Sequence, residues 1–374
     1  MKVLEINKED LLHNIEVIKK LNKVNEKGLK SPEIIAVVKG NAYGMGLVEF
    51  SKVLIEQGIE FLAVSTVEEA EELRKNDIKC KILMLTSTGV KEDIKSLMDN
   101  DIILTIGSKE ALDAVEKEAK EQNKKVKAHL KIDTGFGRYG FVYTEPMKIV
   151  EALKGCENIE IIGTFSHFSE SYSKSEKWTS LQYERFLMVV EFLQKNKINT
   201  GMLHICNSSA FLKYPYMRLN AVRIGSAFSG RLLIPNAYGL KRIGVLKTKI
   251  TEIKELPKNF NIGYSNTYKT KKACKVAIVP VGYKDGIIMS TSNDSFRFID
   301  HIRYIYNDVK NIFKDNSFYV KINNKKYKVL GKIGMYNMVI EIETRKREPS
   351  QFPSVSKRTV PIDTEKRLKL VTRF

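Results

Sequence analysis

The sequence predicts an α/β fold, a (β/α)8 barrel of the TIM type followed by a smaller, mainly β domain. Eight short apolar runs alternate with helical patterns over roughly the first 230 residues. From about residue 241 the pattern changes to β-rich segments joined by turns. A chain of 374 residues also exceeds the length that one core usually organises. We therefore expect domains at 1–240 and 241–374.

The barrel elements follow one another in regular alternation. A first helix is predicted over residues 7–20, where Leu11, Ile15 and Ile18 recur at helical spacing. The first barrel strand is predicted at 34–38, an apolar run too short for a buried helix, and a helix follows Gly46 to about residue 57. The other seven strands are predicted at 61–64, 81–85, 103–106, 129–132, 159–165, 202–205 and 222–224.

Helix-start signals support this alternation. Thr66 with Glu69 has the spacing of a capping box, and Ser108 precedes a helix rich in lysine and glutamate. A doubly wound sheet is the competing arrangement, but no GxGxxG fingerprint follows any strand.

The second domain is predicted from five β-rich segments and one helix. The segments lie at 247–256, 274–281, 318–322, 326–330 and 339–343, with a turn at Asn323 and Asn324. Residues 293–316 carry apolar side chains at helical spacing, among them Phe298, Ile302 and Ile305, and predict a helical insertion.

Composition excludes several classes of protein. The net charge of +19 comes from lysines spread along the chain, without the aromatic interleaving of a nucleic-acid module, so no specific nucleic acid is expected as a partner. Such a surface would favour anionic ligands. The four cysteines form no CxxC pair, which argues against a metal site or a disulfide framework. Charges interrupt the amino-terminal segment and no apolar run reaches membrane length, so we expect a cytoplasmic protein without membrane attachment.

Lys39 stands directly after the first barrel strand, in the stretch IIAVVKGNAYGMG. Active sites of parallel α/β folds form where the strands end. An amine held there against apolar neighbours is disfavoured in its charged form and becomes a better nucleophile towards a carbonyl. A solvated lysine that caps the strand is the alternative, and this stretch alone favours neither.

Further polar groups follow later strands of the same predicted barrel. Because the carboxyl ends of the strands meet, we expect these groups to lie close together. A helix beginning at Ser208 would present free backbone N–H groups to an anion. The groups are Lys131 and Arg138 in HLKIDTGFGRYGF, His167 in GTFSHFSES, His204, Asn207 and Ser208 in HICNSSAFL, and Arg223, Gly225 and Ser226 in AVRIGSAFSG.

The lysine stretch resembles the pyridoxal-phosphate motif of the alanine racemases, enzymes of fold-type III, through Lys39, Asn41, Ala42, Tyr43, Gly44 and Gly46. The resemblance implies that Lys39 attaches pyridoxal 5'-phosphate and that Tyr43 supports its phosphate. It extends over roughly nine tenths of the chain, and the later motifs match as well.

The resemblance assigns roles to those motifs. Arg138 would lie near the cofactor's phenolic oxygen and bind the substrate carboxylate, supported by Lys131, which is carbamylated in many members and forms a plain salt bridge otherwise. His167 would pack beside the cofactor ring and His204 would support Arg223. The phosphate contacts would come from Asn207, Ser208, Gly225 and Ser226.

Arg223 matches the arginine that pairs with the pyridine nitrogen. An arginine cannot give that nitrogen a proton, so the cofactor is a weaker electron sink, which favours racemisation over transamination. Decarboxylases of the same architecture usually place an acidic residue there, and single-barrel cofactor carriers lack a β domain. Both are therefore less favoured readings.

Tyr264, in NIGYSNTYKT, matches the second acid/base, which reaches the site from the partner subunit of a head-to-tail homodimer. Tyr283 and Met335 match the substrate entrance. The resemblance thus implies interconversion of L- and D-alanine by two bases, as in D-alanine biosynthesis for the cell wall.

The segment GKIGMYNMV departs from the housekeeping members, because Gly334 and Tyr336 replace a cysteine and an aspartate. This and the insertion resemble a divergent branch that includes the racemase domain of serine/alanine racemases. The tyrosine that members carry near the carboxyl terminus has no clear counterpart. Serine or another small amino acid is therefore the alternative substrate.

Overall fold

The computed structural model describes residues 2–23, 31–287, 298–312, 317–342 and 359–361. The chain divides into a barrel unit, Asn7–Ile243, and a β unit that joins Met1–Ile6 to Gly244–Phe374. Residues 1–6 were expected to belong to the first domain. They group with the second unit because strand β1 (Val3–Ile6) pairs antiparallel with a strand that begins at Gly244.

Eight parallel strands form a closed barrel, as predicted. Neighbours follow the order β5-β4-β3-β2-β10-β9-β8-β6, and pairing between β5 and β6 closes the ring. A ninth short strand, β7 (Phe141–Val142), pairs with the end of β6. The barrel strands are β2 (Glu33–Val37), β3 (Phe61–Val64), β4 (Lys81–Ser87), β5 (Ile103–Ile106), β6 (Val126–Asp133), β8 (Ile159–Phe165), β9 (Met202–His204) and β10 (Ala221–Ile224).

Helices connect the strands, and their starts follow the predicted signals. Ser108 accepts the backbone N–H of Ala111 and caps its helix as predicted. A left-handed turn occupies Lys39–Gly44. The helices of the barrel unit are α1 (Lys8–Lys23), α2 (Leu47–Glu56), α3 (Val67–Lys75), α4 (Lys91–Asp99), α5 (Lys109–Glu121), α6 (Pro146–Leu153), α7 (Lys177–Lys195) and α8 (Ser208–Lys213).

The barrel interior combines an apolar layer with polar side chains nearer the strand ends. Residues two apart on a strand share a face, so His129 and Lys131 of β6 point the same way, as do Ala221 and Arg223 of β10. Ala221 belongs to the apolar interior cluster, and this places Arg223 on the interior face. The polar residues of these strands therefore lie inside the barrel.

Three sheets are described in the β unit. The first has the order β1-β11-β19, the second has the order β12-β15-β18-β17-β16, and the third is the antiparallel pair β13-β14. The turn at Asn323 and Asn324 has φ angles of 51° and 62°, the left-handed values that asparagine tolerates. The strands are β11 (Gly244–Lys249), β12 (Glu252–Leu256), β13 (Asn261–Ile262), β14 (Tyr268–Lys269), β15 (Cys274–Val279), β16 (Tyr319–Ile322), β17 (Lys325–Leu330), β18 (Met338–Ile342) and β19 (Thr359–Pro361).

Helix α9 (Phe298–Ile312) lies within the stretch where an amphipathic helix is predicted. Its apolar side chains are exposed, with Phe298 at 80% and Ile305 at 64% of their full accessibility. The rest of the predicted insertion, 293–297 and 313–316, lies outside the described residues. Within the described part of the chain, no helix combines the length and apolar character needed to cross a bilayer.

Candidate active site

One cavity of about 630 Å³ collects the predicted site residues of the barrel unit, His204 excepted. Its volume lies in the range of small-molecule sites. His204 is fully buried behind the cavity wall. The predicted residues that line the cavity are Lys39, Tyr43, Lys131, Arg138, His167, Asn207, Ser208, Arg223, Gly225 and Ser226.

The left-handed turn after β2 brings Lys39 and Tyr43 to the same cavity. Gly40, Asn41, Ala42 and Tyr43 all have φ between 51° and 64°. A residue other than glycine loses about 1–2 kcal/mol in this conformation. Such a turn persists only where surrounding contacts outweigh that cost.

Glu69 supplies those contacts from the start of α3. Its carboxylate accepts the backbone N–H groups of Gly40, of Asn41 at 3.2 Å and of Ser65 at 3.1 Å. The predicted capping box is therefore half right. Thr66 accepts the N–H of Glu69 at 3.3 Å, but the Glu69 carboxylate bonds to the lysine turn and the end of β3 instead of returning to Thr66.

The surroundings of Lys39 favour its neutral amine. Burial lowers its pKa, the charge of Arg138 lowers it further, and the Glu69 carboxylate partly opposes both. Burial raises the pKa of Tyr43 to about 12, again with a contribution from Glu69. The cavity therefore presents a reactive amine beside a phenol that stays protonated.

Asp133 shapes the loop that carries Arg138. Its carboxylate accepts the backbone N–H groups of Gly135, Phe136, Gly137 and Arg138 at 2.8–3.2 Å. Burial alone would raise the pKa of Asp133, but these four donors outweigh it and lower that pKa. The carboxylate is thus committed to the loop backbone.

Lys131 lies inside the barrel with an unusually low basicity. Its ammonium donates to the Leu85 carbonyl at 3.2 Å and lies 5.1 Å from the centre of the Phe165 ring. Burial, followed by the charges of Arg223 and Arg138, lowers the pKa of Lys131 to about 7. Its neutral form is therefore accessible near neutral pH.

Arg223 is a buried cation surrounded by uncharged acceptors. Nη1 donates to His204 Nδ1 at 2.7 Å and to its carbonyl at 3.1 Å. Nη2 donates to the carbonyls of Ser166 at 2.6 Å and Ile205 at 3.2 Å, and to His167 Nδ1 at 3.2 Å. Burial lowers the pKa of Arg223 to about 10, so the group stays charged at neutral pH.

A second part of the cavity wall, called here the polar cradle, is built from Tyr43, Asn207, Ser208 and Gly225. Ser208 Oγ accepts the N–H of Gly225 at 3.1 Å, and Asn207 Oδ1 caps α8 by accepting the N–H of Ala210 at 3.0 Å. A Cβ at Gly225 would lie 2.2 Å from the Tyr43 hydroxyl oxygen. Only glycine leaves room for this close approach.

The charge balance of the cavity fits an anionic, phosphate-bearing group. Two arginines, Arg138 and Arg223, line it together with Lys39 and Lys131, two lysines whose pKa values are lowered. The neighbouring carboxylates of Glu69 and Asp133 are already committed to backbone N–H groups. The excess positive charge therefore remains available to a bound anion.

The predicted residues of the β unit lie near one another. The Tyr283 N–H donates to the Gly334 carbonyl at 3.1 Å, next to Met335. A Cβ at Gly334 would contact Tyr264 Cε2 at 3.5 Å, so Tyr264 belongs to the same neighbourhood. Tyr264 is 69% exposed, and all three side chains are accessible on the unit. Their part in catalysis stays a prediction.

Sequence reasoning missed three residues that build the site. Glu69 was noticed only as a capping residue. His129 stands two positions before Lys131, so strand alternation could have placed it inside the barrel. Gln182 of α7 accepts the N–H of Ser169 at 2.9 Å and donates to Thr134 at 3.3 Å, a bridge between two site loops that no local pattern indicates.

Two family models and several known proteins match this chain. The alanine racemase N-terminal domain model matches residues 6–232, and the C-terminal domain model matches residues 243–355. An alanine racemase of Methanococcus maripaludis is 34% identical over 77% of each chain. One of Borreliella burgdorferi is 34% identical over 91% of this chain and 84% of the relative.

Solved structures give the same result. An alanine racemase of Clostridium difficile 630 has a TM-score of 0.79 at 28% identity, covering 96% of this chain and 86% of the other. An alanine racemase of Bacillus anthracis with bound L-Ala-P has a TM-score of 0.77 at 27% identity, covering 96% and 85%. Because the two domain models match in succession over most of the chain, this chain belongs to the alanine racemase family.

Proposed function

We propose that this chain interconverts L- and D-alanine with pyridoxal 5'-phosphate by a two-base mechanism. The family depends on this cofactor. The observation that carries the proposal is the cavity in which Lys39, Arg138 and Arg223 face the same space. An amine of lowered pKa, a carboxylate-binding guanidinium and a second buried guanidinium are what an amino acid bound to this cofactor requires.

The barrel residues would hold the cofactor at both ends. Tyr43, Asn207, Ser208, Gly225 and Ser226 would surround the phosphate at the polar cradle, where a Cβ at Gly225 would collide with the Tyr43 hydroxyl. His167 and Arg223 would face the ring from the other end. When bound, the cofactor supplies an electron-withdrawing ring that acidifies the α-hydrogen of the attached amino acid.

Lys39 would move the α-proton at one face of the substrate. Burial and Arg138 hold its amine towards the neutral form that accepts a proton. Arg138 would orient the substrate by pairing with its carboxylate. Both groups act from elements made rigid by backbone hydrogen bonds, the first through Glu69 and the second through Asp133.

Arg223 decides between reaction types. Its charge is retained at neutral pH despite burial, so it can stabilise a ring nitrogen by hydrogen bonding but does not protonate it. Electron withdrawal by the bound cofactor would then be weaker, which would favour return of the proton to Cα. This disfavours a decarboxylase, which usually carries an acidic residue at the position.

Tyr264 would serve the opposite face. Its exposure on the β unit suits a phenol that enters the active site of a partner subunit, and we therefore infer a head-to-tail homodimer. Tyr283 and Met335 would line the substrate entrance of that composite site. Alanine is the proposed substrate, with serine or another small amino acid as the alternative.

Exchange of the α-hydrogen with solvent deuterium tests the proposal directly. The protein would be incubated in D2O with a panel of L- and D-amino acids, and deuterium at Cα measured by mass spectrometry together with chirality. We expect exchange and inversion with alanine, and loss of both on Lys39→Ala. Absence of exchange with every small amino acid would refute the proposed activity, and loss of CO2 would indicate a decarboxylase.

Tyr264→Phe separates the two faces. We expect proton abstraction from L-alanine to fall by on the order of hundredfold or more, while D-alanine still exchanges its α-hydrogen through Lys39. Tyr306→Phe, an exposed tyrosine of the same unit, is the control and should change neither rate. Equal losses for both enantiomers would contradict the assignment of Tyr264.

A further inference from the structure

His129 is a buried imidazole of the barrel interior that the proposed reaction does not use directly. Its Nδ1 lies 2.8 Å from Nε2 of His204, whose Nδ1 lies 2.7 Å from Nη1 of Arg223. Both histidines are fully buried. Three side chains thus form a continuous hydrogen-bonded row that ends at the active-site cavity.

The direction of every hydrogen bond in this row follows from chemistry. A guanidinium carries donors only, so His204 Nδ1 must accept from Arg223. An imidazole that accepts at Nδ1 carries its hydrogen on Nε2, and His204 therefore donates to His129 Nδ1. By the same reasoning, His129 carries its own hydrogen on Nε2.

The end of the row away from the cavity is the hydrogen on His129 Nε2. His129 Nε2 is buried and has no hydrogen-bond partner among the described residues. A buried donor without a partner destabilises the folded state, because it has lost its hydrogen bonds to water. The protein tolerates this cost at the far end of the row, while His204 and the terminal nitrogens of Arg223 are satisfied.

The surrounding packing holds His129 in this position. A Cβ at Gly163 would lie 2.6 Å from His129 Nε2, so the glycine on β8 makes room for the ring. The Phe165 ring stacks on His204 at 4.9 Å with an angle of 6° between the planes. Both imidazoles are therefore confined, and neither ring can turn without displacing its neighbours.

We propose that His129 is a positioning residue of the active site: it accepts the Nε2 hydrogen of His204 and thereby holds that imidazole where it accepts from Arg223. The orientation of the guanidinium at the cavity then depends on a residue that lines no part of the cavity. The inference rests on the proposed function for its catalytic consequence, but the hydrogen-bonded row itself can be measured independently.

Nitrogen NMR of the purified wild-type protein is the first test. The chain has five histidines, so histidine-selective 15N labelling gives few signals. We expect both His129 and His204 to carry hydrogen on Nε2 only, with a coupling across the hydrogen bond between His204 Nε2 and His129 Nδ1. A hydrogen on Nδ1 of either residue, or no coupling between the two rings, would overturn the proposal.

Two substitutions at His129 supply a matched comparison. His129→Asn places a carbonyl oxygen close to the position of Nδ1 and keeps an acceptor, whereas His129→Leu removes it. We expect the Leu variant to lose kcat by on the order of tenfold with KM changed less than twofold, and to exchange the His204 Nε2 hydrogen with solvent rapidly. The Asn variant should recover the slow exchange and most of kcat.

Other outcomes are equally informative. Equal kcat in the two variants would show that the acceptor has no positioning role. If His129→Leu does not fold, Gly163→Ala offers a second perturbation, because its methyl group would displace the His129 ring although both histidines are retained. We then expect a similar loss of kcat and rapid exchange of the His204 Nε2 hydrogen. If the NMR couplings are observed but the protein has no racemase activity, the proposed function is refuted while the hydrogen-bonded row is confirmed.

Discussion

At the scale of single residues, the fold lowers the pKa of the Lys131 amine substantially. Burial and two nearby guanidinium groups lower its pKa to about 7, and in the described part of the chain no carboxylate forms a salt bridge with it. A neutral lysine amine attacks CO2, forming a C–N bond and releasing one proton. The product carries a negative charge, which would reduce the excess positive charge of the cavity.

We therefore predict that Lys131 is carbamylated when the protein is exposed to bicarbonate. Incubation with 13C-bicarbonate should give a carbamate resonance in the 13C spectrum, which disappears in Lys131→Met. Lys127→Met, an exposed lysine of the same strand, is the control and should leave the resonance unchanged. A spectrum without this resonance at pH 8 would show that Lys131 remains a plain amine.

Glu69 provides a second prediction, since its negative charge opposes the effects that lower the pKa of Lys39. Glu69→Gln removes that charge and should lower the pKa of Lys39 further, so that the amine stays reactive at more acidic pH. Competitive acetylation of the cofactor-free protein, quantified at Lys39 by mass spectrometry across pH, measures the shift.

The control for this experiment is Glu72→Gln, an exposed residue of the same helix. It should leave the Lys39 profile unchanged. A shift of the Glu69→Gln profile towards higher pH would contradict the sign of the proposed interaction.

At the scale of elements, the left-handed turn at Lys39–Gly44 depends on Asn41. Its φ is 53°, and its Oδ1 accepts the N–H of Leu47, the first residue of α2, at 2.6 Å. Alanine would lose this hydrogen bond and the tolerance of asparagine for this conformation. We predict that Asn41→Ala lowers the free energy of unfolding by about 2 kcal/mol.

Asn123 offers a matched control, because it also has a left-handed conformation, with φ of 51°, but is exposed and caps no helix through its side chain. Asn123→Ala should cost about 1 kcal/mol or less. Urea denaturation of both variants gives the comparison. Equal losses would show that the bond to Leu47 contributes little.

The elements also show what sequence patterns can predict. All eight barrel strands lie where short apolar runs predict them, because burial on both faces leaves a strong local signal. The left-handed turn leaves none, since its stability comes from Glu69, a residue distant in sequence. The apolar pattern of α9 predicts a helix correctly but does not predict the exposure of Phe298 and Ile305.

For the candidate site, the sequence predicts the residues that line the cavity but not the residues that hold them in place. The motif residues of the barrel follow strand ends, and parallel strands bring such residues together. The residues that hold them in place, Glu69, His129 and Gln182, were not assigned this role from sequence. Each acts through hydrogen bonds to a partner on another element, and a single sequence does not encode those pairings in its local pattern.

At the scale of the whole molecule, the proposed homodimer makes each active site a joint product of two chains. Lys39→Ala lacks one base and Tyr264→Phe the other, yet a mixed dimer contains one site with both. An equal mixture of the two variants, unfolded and refolded together, should regain about a quarter of wild-type activity. Half of the randomly paired dimers are mixed, and one of the two sites in each mixed dimer is intact.

Activity of each refolded variant alone is the control and should remain low. Should the mixture stay as inactive as its components while wild-type protein refolds well under the same treatment, Tyr264 would not be supplied across subunits. Sedimentation of the wild-type protein would show independently whether a dimer forms.

The pairing of β1 with β11 determines the order in which parts of the chain can fold during translation. All of Asn7–Ile243 is one uninterrupted stretch, so the barrel can form before the remaining third has been synthesised. Residues 3–6, by contrast, must wait for β11 as their antiparallel neighbour. A barrel expressed on its own is therefore a reasonable fragment, whereas the other unit needs its early strand restored, for instance by circular permutation.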